Sequence, residues 1–555
     1  MADAAPRLWS VADFFQAARQ GRLPAGACLL EADLRGHDLS GLQLAGAIFV
    51  RVDARGCSFA GSDCRDALFD HVDLSGIRAT GWRVDDSSFV ACQLDGADCH
   101  QASFRGCKLV AGSARRTIFD HAELSHSHWS DMDLEEVQAS GCTAAEVGVW
   151  NGQLRASVWR GACLTGHDLR DCDCTGIDLS GADCSGGHLQ GVRLAEAQLS
   201  GTRADGWRWS ACQLGACNLN ELVDARLRLR DCDLPETLVL PASLAGWAFD
   251  ACQLPAVDWQ GKDLRDSRFI RCRLAGIDLR TADCRQADFS DSDLQSADLR
   301  QSDCRGTNFS RVRLDQADCR AADFRGADCS KASAAAARFD DADLQEADLR
   351  EVTFAGTQFL QARLTGALLG AVDLSDCDCR GLDLSRCDLA GAHCVGTDFR
   401  RCILHDTDLS EADCRRTRFA EADAIGTLFL DADLREADFG GCSLQQVDLQ
   451  GGRLAGSRWQ DCHCDSSLLD DNDYRQVALG GGRFTLCSFT GAGFTGMDLR
   501  ACHFDRCSFA QADLQQVRLQ GTFFFKADCT GADCRRADFS ASRADGATFT
   551  GARLD

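Results

Sequence analysis

Apolar residues recur at every fifth position along almost the entire chain. Leu34, Leu39 and Leu44 open the clear series, and Phe49, Ala54, Phe59, Cys64, Phe69 and Leu74 continue it. Phe539, Ala544, Phe549 and Leu554 still keep the same register at the other end. Every position ending in 4 or 9 from Leu29 to Leu554 belongs to the series, with Asp224 and Tyr474 as its polar members, and no insertion or deletion is visible. A helix repeats its apolar face every 3.6 residues and a strand every 2, so neither element alone produces a period of five. The remaining positions repeat as well. A small residue stands two before each apolar centre, Asp most often stands one before it, and Gly frequently stands two after it. Ala32-Asp33-Leu34-Arg35-Gly36 and Ala322-Asp323-Phe324-Arg325-Gly326 show the unit.

A short exact period maintained over hundreds of residues is the mark of a solenoid, in which stacked coils bury together what one coil cannot bury alone. The units resemble the pentapeptide-repeat family, whose consensus is A-(D/N)-L-x-x, and the resemblance covers nearly the whole chain. It implies an all-β fold, a right-handed quadrilateral β-helix with four pentapeptides per coil, in which the centre and the small residue two before it point inward. Residues 26–555 then form one continuous β-helix of about 26 coils, roughly 125 Å long at about 4.8 Å per coil. Residues 1–25 are expected to form an N-terminal cap. Within them, residues 8–20 read as a short amphipathic helix with Ser10 as N-cap, Asp13 in its first turn and Gly21 as its stop. Its apolar residues Trp9, Phe14 and Phe15 are expected to cover the first coils.

Placed on this register, the 34 cysteines lose their look of a metal or disulfide framework. Fourteen fall on centres and eighteen fall two before a centre, leaving Cys28 and Cys163 elsewhere. They read as small buried apolar side chains in a reducing compartment. The C-x-C pairs Cys172/Cys174, Cys377/Cys379 and Cys462/Cys464 face the core on this reading and lack paired zinc-finger spacing. His121, His126 and His128 read as solvated surface. No nucleophile elbow, phosphate loop or HExxH motif is present. The sequence therefore calls for no catalytic residue, no metal and no cofactor.

The formal net charge of −25 disfavours direct binding to nucleic acid or to an anionic membrane. No apolar run approaches the roughly 20 residues of a membrane-spanning helix. A leader peptide is not visible, so a cytoplasmic location is expected. Residues 20 apart stack on one wall. Asp263, Asp283, Asp303, Asp323 and Asp343 form one such column beside Arg265, Arg285, Arg305 and Arg325, and Asp258, Asp278, Asp298 and Asp318 form another.

By this reading the role is that of a non-catalytic scaffold or adaptor that presents its walls to protein partners. Some pentapeptide-repeat proteins imitate the charge and width of duplex DNA and bind DNA gyrase, and the acidic charge makes that the alternative. Interleaved arginines argue against it. The opening Leu30-Glu31-Ala32-Asp33-Leu34-Arg35-Gly36 and units such as Phe89-Val90-Ala91-Cys92-Gln93-Leu94 also resemble pentapeptide-repeat proteins associated with bacterial type VI secretion. Two departures from the repeat mark candidate sites. Outward positions on one N-terminal wall are apolar, at Ile48, Val50, Leu68, Val90, Val110 and Trp150, which suggests a partner surface. Residues 200–260 are irregular: Trp207 and Trp247 occupy small inward positions, Asp224 occupies a centre, and Pro235, Pro241 and Pro255 cluster there, so a bulge, bend or widened coil is expected. The C-terminal coil around Phe549 and Leu554 is expected to be open and suited to an end-to-end homodimer.

Overall fold

A computed structural model describes residues 7–223, 225–254 and 259–555. Asp224, Pro255 and Asp258 lie outside the described residues. The chain divides into two compact units, Met1–Pro255 and Ala256–Asp555. The division falls within the span read as irregular.

The first unit opens with strand β1 (Arg7–Leu8) and helix α1 (Val11–Arg19). The Ser10 side chain accepts the Asp13 backbone N–H at 3.2 Å, as an N-cap should. Phe14 and Phe15 are buried; Phe14 meets Phe49 edge-on at 5.7 Å and Phe15 stacks on His37 at 5.2 Å. Trp9 remains half-exposed beneath the Arg7 guanidinium.

The unit then repeats a three-residue strand every twenty residues: β2 (Ala27–Leu30), β3 (Ile48–Val50), β4 (Leu68–Asp70), β5 (Ser88–Val90), β6 (Lys108–Val110), β7 (His128–Ser130) and β8 (Gly148–Trp150). The same wall continues through β9 (Asp168–Arg170), β10 (His188–Gln190), β11 (Arg208–Ser210), β12 (Arg228–Arg230) and β13 (Ala248–Asp250). Each strand pairs in parallel with the one twenty residues on, as Phe49 does with Phe69. The other walls are held by single parallel bridges at the same offset, such as Asp33 to Asp53 and Asp38 to Ser58. The second unit repeats this plan, from β14 (Arg268–Ile270) to the five-stranded sheet of β15 (Asp423–Ile425), β16 (Ser443–Gln445), β17 (His463–Asp465), β18 (Arg483–Thr485) and β19 (His503–Asp505).

The sequence pattern explains each part of a coil. Centres point inward and stack on the centre twenty residues away, so Phe49, Phe69 and Phe89 form a ladder of near-parallel rings 4.9 and 4.6 Å apart. The small residue two before a centre must fit beside that ladder, and on several walls it also donates to a carbonyl of the coil below. Thr117 Oγ1 reaches Leu94 O at 2.6 Å, and Cys57 Sγ reaches Leu34 O at 2.8 Å. Cys, Thr and Ser therefore serve one purpose here. At the corners the backbone enters the left-handed region, at glycines such as Gly36 (φ 76°) and at ordinary residues such as Leu486 (φ 54°). Where the consensus Asp is present, it locks the corner that follows. Asp33 Oδ1 accepts the Arg35 backbone N–H at 3.0 Å, and the Arg35 guanidinium grips the same carboxylate at 2.7 and 3.0 Å.

Within residues 200–260, read as irregular, the register slips locally by one residue, although no insertion or deletion is visible in the sequence. In a regular coil the turn bond runs from the inward small residue to the centre before it, as Cys57 N does to Ala54 O. At the corresponding turn Leu238 N donates to Pro235 O, one residue late. Leu238 is buried, whereas Val239, expected on a centre, is 48% exposed. Val239 bridges Asn218, an offset of 21 instead of 20. Trp247 N to Leu244 O restores the regular bond. The reason lies at Pro241. The equivalent corners donate an N–H to the next coil, as Gly41 does to Ala60 O, and proline has none to give.

Candidate functional site

The β wall of the first unit holds the longest series of paired strands described, and it carries the apolar residues singled out from sequence. Along each strand the central residue points inward and the two flanking residues point out. The outward residues therefore form two columns. Ile48 and Leu68 adjoin in the first, and Val50, Val90, Val110 and Trp150 lie in the second. Val90 and Trp150 are exposed, at 36% and 38%, while Ile48, Val50, Leu68 and Val110 are half-buried. Val90 and Val110 are register neighbours, but Asp70 separates Val50 from Val90, and Ser130 separates Val110 from Trp150. The apolar surface is thus patched, not continuous. Leu30, 45% exposed and paired with Val50, extends it toward the N-terminus. Sequence reasoning missed Leu30, although its place next to the Leu29 centre marks it as outward.

Trp150 is held in place. The His128 ring meets it edge-on at 4.1 Å, and the Arg170 guanidinium lies 5.1 Å from its centroid. His128 fits there because its register partner is Gly148, where a Cβ would come within 2.8 Å of the imidazole Nδ1. Partial burial lowers the His128 pKa. Arg170 is itself fixed by Asp168, at 2.7 Å. An exposed tryptophan ordered before any partner arrives loses little side-chain freedom on binding.

Of the other histidines, His121 and His126 occupy left-handed corners, and His126 contacts Glu146 at 3.1 Å. His167 is the histidine that matters to packing, and its inward position escaped notice in the sequence. It is buried at a small-residue position, with Nδ1 2.6 Å from Leu164 O and Nε2 accepting from Trp207 Nε1 at 3.1 Å. Gly187 stands between the two rings in the stack, and a Cβ there would lie 2.1 Å from His167. The oversized Trp207 is thereby accommodated, beside an apolar cavity of about 20 Å³.

The cysteines are free, and all but the half-buried Cys163 are buried. Burial pushes the Cys92 thiol up to about 12 and those of Cys172 and Cys377 to about 11. Cys212, Cys232 and Cys252 stack on one wall, where the neighbouring Cys232 thiol and then burial hold the Cys212 thiol above its ordinary range. Among the described residues no group of three or more His, Cys, Asp or Glu side chains is placed to hold a metal ion. No described helix is long and apolar enough to cross a membrane.

The model for pentapeptide repeats matches residues 38–76, 172–206, 267–406, 412–451 and 487–555, more than half of the chain. The chain belongs to the pentapeptide-repeat family. No curated protein matches it in sequence. Among solved structures, this pentapeptide-repeat protein is similar to QnrB1, described as a plasmid-mediated fluoroquinolone resistance protein, at 15% identity and a TM-score of 0.21, over 36% of this chain and 89% of that one. It is also similar to HetL, described as involved in heterocyst differentiation regulation, from the cyanobacterium Nostoc sp. strain PCC 7120. That match has 22% identity and a TM-score of 0.14, over 44% of this chain and 87% of HetL. Likenesses at these scores say nothing of ligand or activity.

Proposed function

We propose that this pentapeptide-repeat protein is a non-catalytic interaction scaffold whose β wall in the first unit docks a protein partner. The observation that carries the reading is Trp150, exposed yet clamped between His128 and Arg170 on the wall that also presents Leu30, Val90 and Val110. Aromatic residues ordered in this way are the usual anchors of protein interfaces. The N-terminal resemblance to type VI secretion-associated proteins makes components of such a system the first partners to test. The alternative, mimicry of duplex DNA toward gyrase, is less favoured because the regular acidic columns are already engaged. Arg285 grips Asp283 at 2.6 and 2.8 Å and approaches Asp303 at 3.6 Å, and Arg305 repeats this with Asp303 and Asp323.

Affinity capture with the wild-type protein and a V90D/V110D variant tests the docking wall. The variant should lose a partner that the wild type retains. An unchanged set of captured proteins would remove this wall as the interface, and inhibition of gyrase supercoiling by purified protein would favour the alternative.

A further inference from the structure

The same wall changes character beyond Trp150. Strand β12 lies in the run Arg226-Leu227-Arg228-Leu229-Arg230, in which the leucines are buried and the three arginines exposed. Arg208 of β11 pairs in register with Arg228, and Ser210 with Arg230. Two arginines thus stand directly opposite each other on adjacent parallel strands, an arrangement that is unfavourable unless an anion joins them. Elsewhere the arginine columns rest on aspartates two residues earlier, as Arg35 does on Asp33 and Arg300 on Asp298. Arg208 and Arg228 stand one before a centre, where the unit most often has its Asp, and the residues two before them, Gly206 and Arg226, supply no carboxylate. Among the described residues neither Arg208 nor Arg228 has an ion-pair partner, and Arg230 contacts only Asp231, at 3.3 Å. A chain of net charge −25 therefore carries three arginines together, two of them without an ion-pair partner among the described residues, on the wall already read as its docking surface.

We propose that Arg208, Arg228 and Arg230 form a docking site for a short acidic polypeptide segment. Guanidinium groups bind carboxylates through paired N–H donors, and the exposed forks of Arg208 and Arg228, with Arg230 beside them, are placed to do so. The surroundings select the size of the ligand. The strip spans two coils, and the wall returns to Asp168 on one side and to Asp250, the register partner of Arg230, on the other. A nucleic acid, with charge repeated along its length, would extend over those acids and over the acidic body beyond them. A short run of Asp or Glu would not. Trp150 lies four coils from Arg230, about 19 Å at one strand spacing per coil. That is the reach of about six extended residues. The segment expected is therefore an apolar anchor over Val110 and Trp150, followed about six residues later by carboxylates over the arginines.

This inference rests on the reading of the wall as a protein-docking surface, and its test separates the two. The probe is a fluorescein-labelled peptide, Val-Trp-Val-Thr-Ser-Thr-Ser-Glu-Thr-Glu-Thr-Glu, added to the full-length protein and followed by fluorescence anisotropy near physiological salt. A peptide with Gln for each Glu and a labelled dT oligonucleotide of similar charge are compared with it. Expected results are saturable binding of the acidic peptide, at least tenfold weaker binding of the Gln peptide and the oligonucleotide, and at least tenfold loss in R208Q/R228Q. The milder glutamines leave the buried Leu227 and Leu229 untouched, and circular dichroism confirms that the variant is folded. The proposal is overturned if the acidic peptide does not bind, if the Gln peptide binds equally well, if R208Q/R228Q binds like wild type, or if the oligonucleotide binds more tightly. If any of these occurs while V90D/V110D still abolishes partner capture, the acidic chemistry fails and the docking wall stands.

Discussion

Acidification should loosen the first unit around a single buried imidazole. His167 is buried, donates through Nδ1 to Leu164 O and accepts the Trp207 indole N–H on Nε2, so both ring nitrogens are satisfied only in the neutral form. A second proton would face the Trp207 N–H with no acceptor. Burial lowers the pKa to about 4, although Asp168 nearby raises it slightly and His188 opposes that. An unfolded histidine titrates near 6.5. The open state therefore binds more protons below pH 6.5, and stability is lost as the pH falls from there through 4. At pH 5 the loss is about 2 kcal/mol relative to pH 8, or about a 30-fold rise in local opening. A solenoid this long does not unfold in one step, so the appropriate assay is local. Hydrogen exchange of peptides spanning residues 164–190, corrected for intrinsic rates, should show the opening at pH 5. H167Q retains an acceptor for the Trp207 indole and removes the titration, so its opening should be nearly independent of pH across that range. If H167Q kept the full pH dependence, the reasoning about His167 would be wrong.

Further outcomes follow from other parts of the fold. Native titration with Ellman's reagent near pH 8 should find at most about one fast thiol, Cys163, and the unfolded chain should yield all 34; several fast native thiols would contradict the inward placement of the cysteines. F14A removes a fully buried ring, worth about 3–5 kcal/mol, that joins α1 to Phe49, and should greatly accelerate tryptic cleavage at Arg19 and Arg22; an unchanged digestion rate would mean that α1 is not docked. L486G relieves a bulky, 49%-exposed residue held at φ 54° and should stabilise its coil by about 0.5–1 kcal/mol, which local hydrogen exchange would detect; a loss of protection would refute the strain argument.

The coil was legible in the sequence because every wall reuses the same unit, so centres such as Phe49, Phe69 and Phe89 reveal both the period and the stack. The role of the consensus Asp was less so, since only the folded coil shows Asp33 closing its corner and holding Arg35. The slip at Leu238 was hidden by its neighbours. Leu238, Val239 and Leu240 are all apolar, so either register satisfies the pattern, and the missing N–H of Pro241 decides between them. His167 and Gly187 are unremarkable twenty residues apart in the sequence; their meaning appears only when Trp207 stacks over both. The apolar positions were legible residue by residue, but not their division into two columns, the second interrupted by Asp70 and Ser130. The pairing of Arg208 with Arg228 required the stack as well.

The most direct test of the docking wall is site-specific photo-crosslinking. A benzoyl-phenylalanine photoprobe at Val110, on the β wall of the first unit, is compared with one at Asp303, on an ion-paired wall of the second. The protein captured by the wild type should crosslink at Val110 and not at Asp303. Crosslinking at Asp303 with none at Val110 would contradict it.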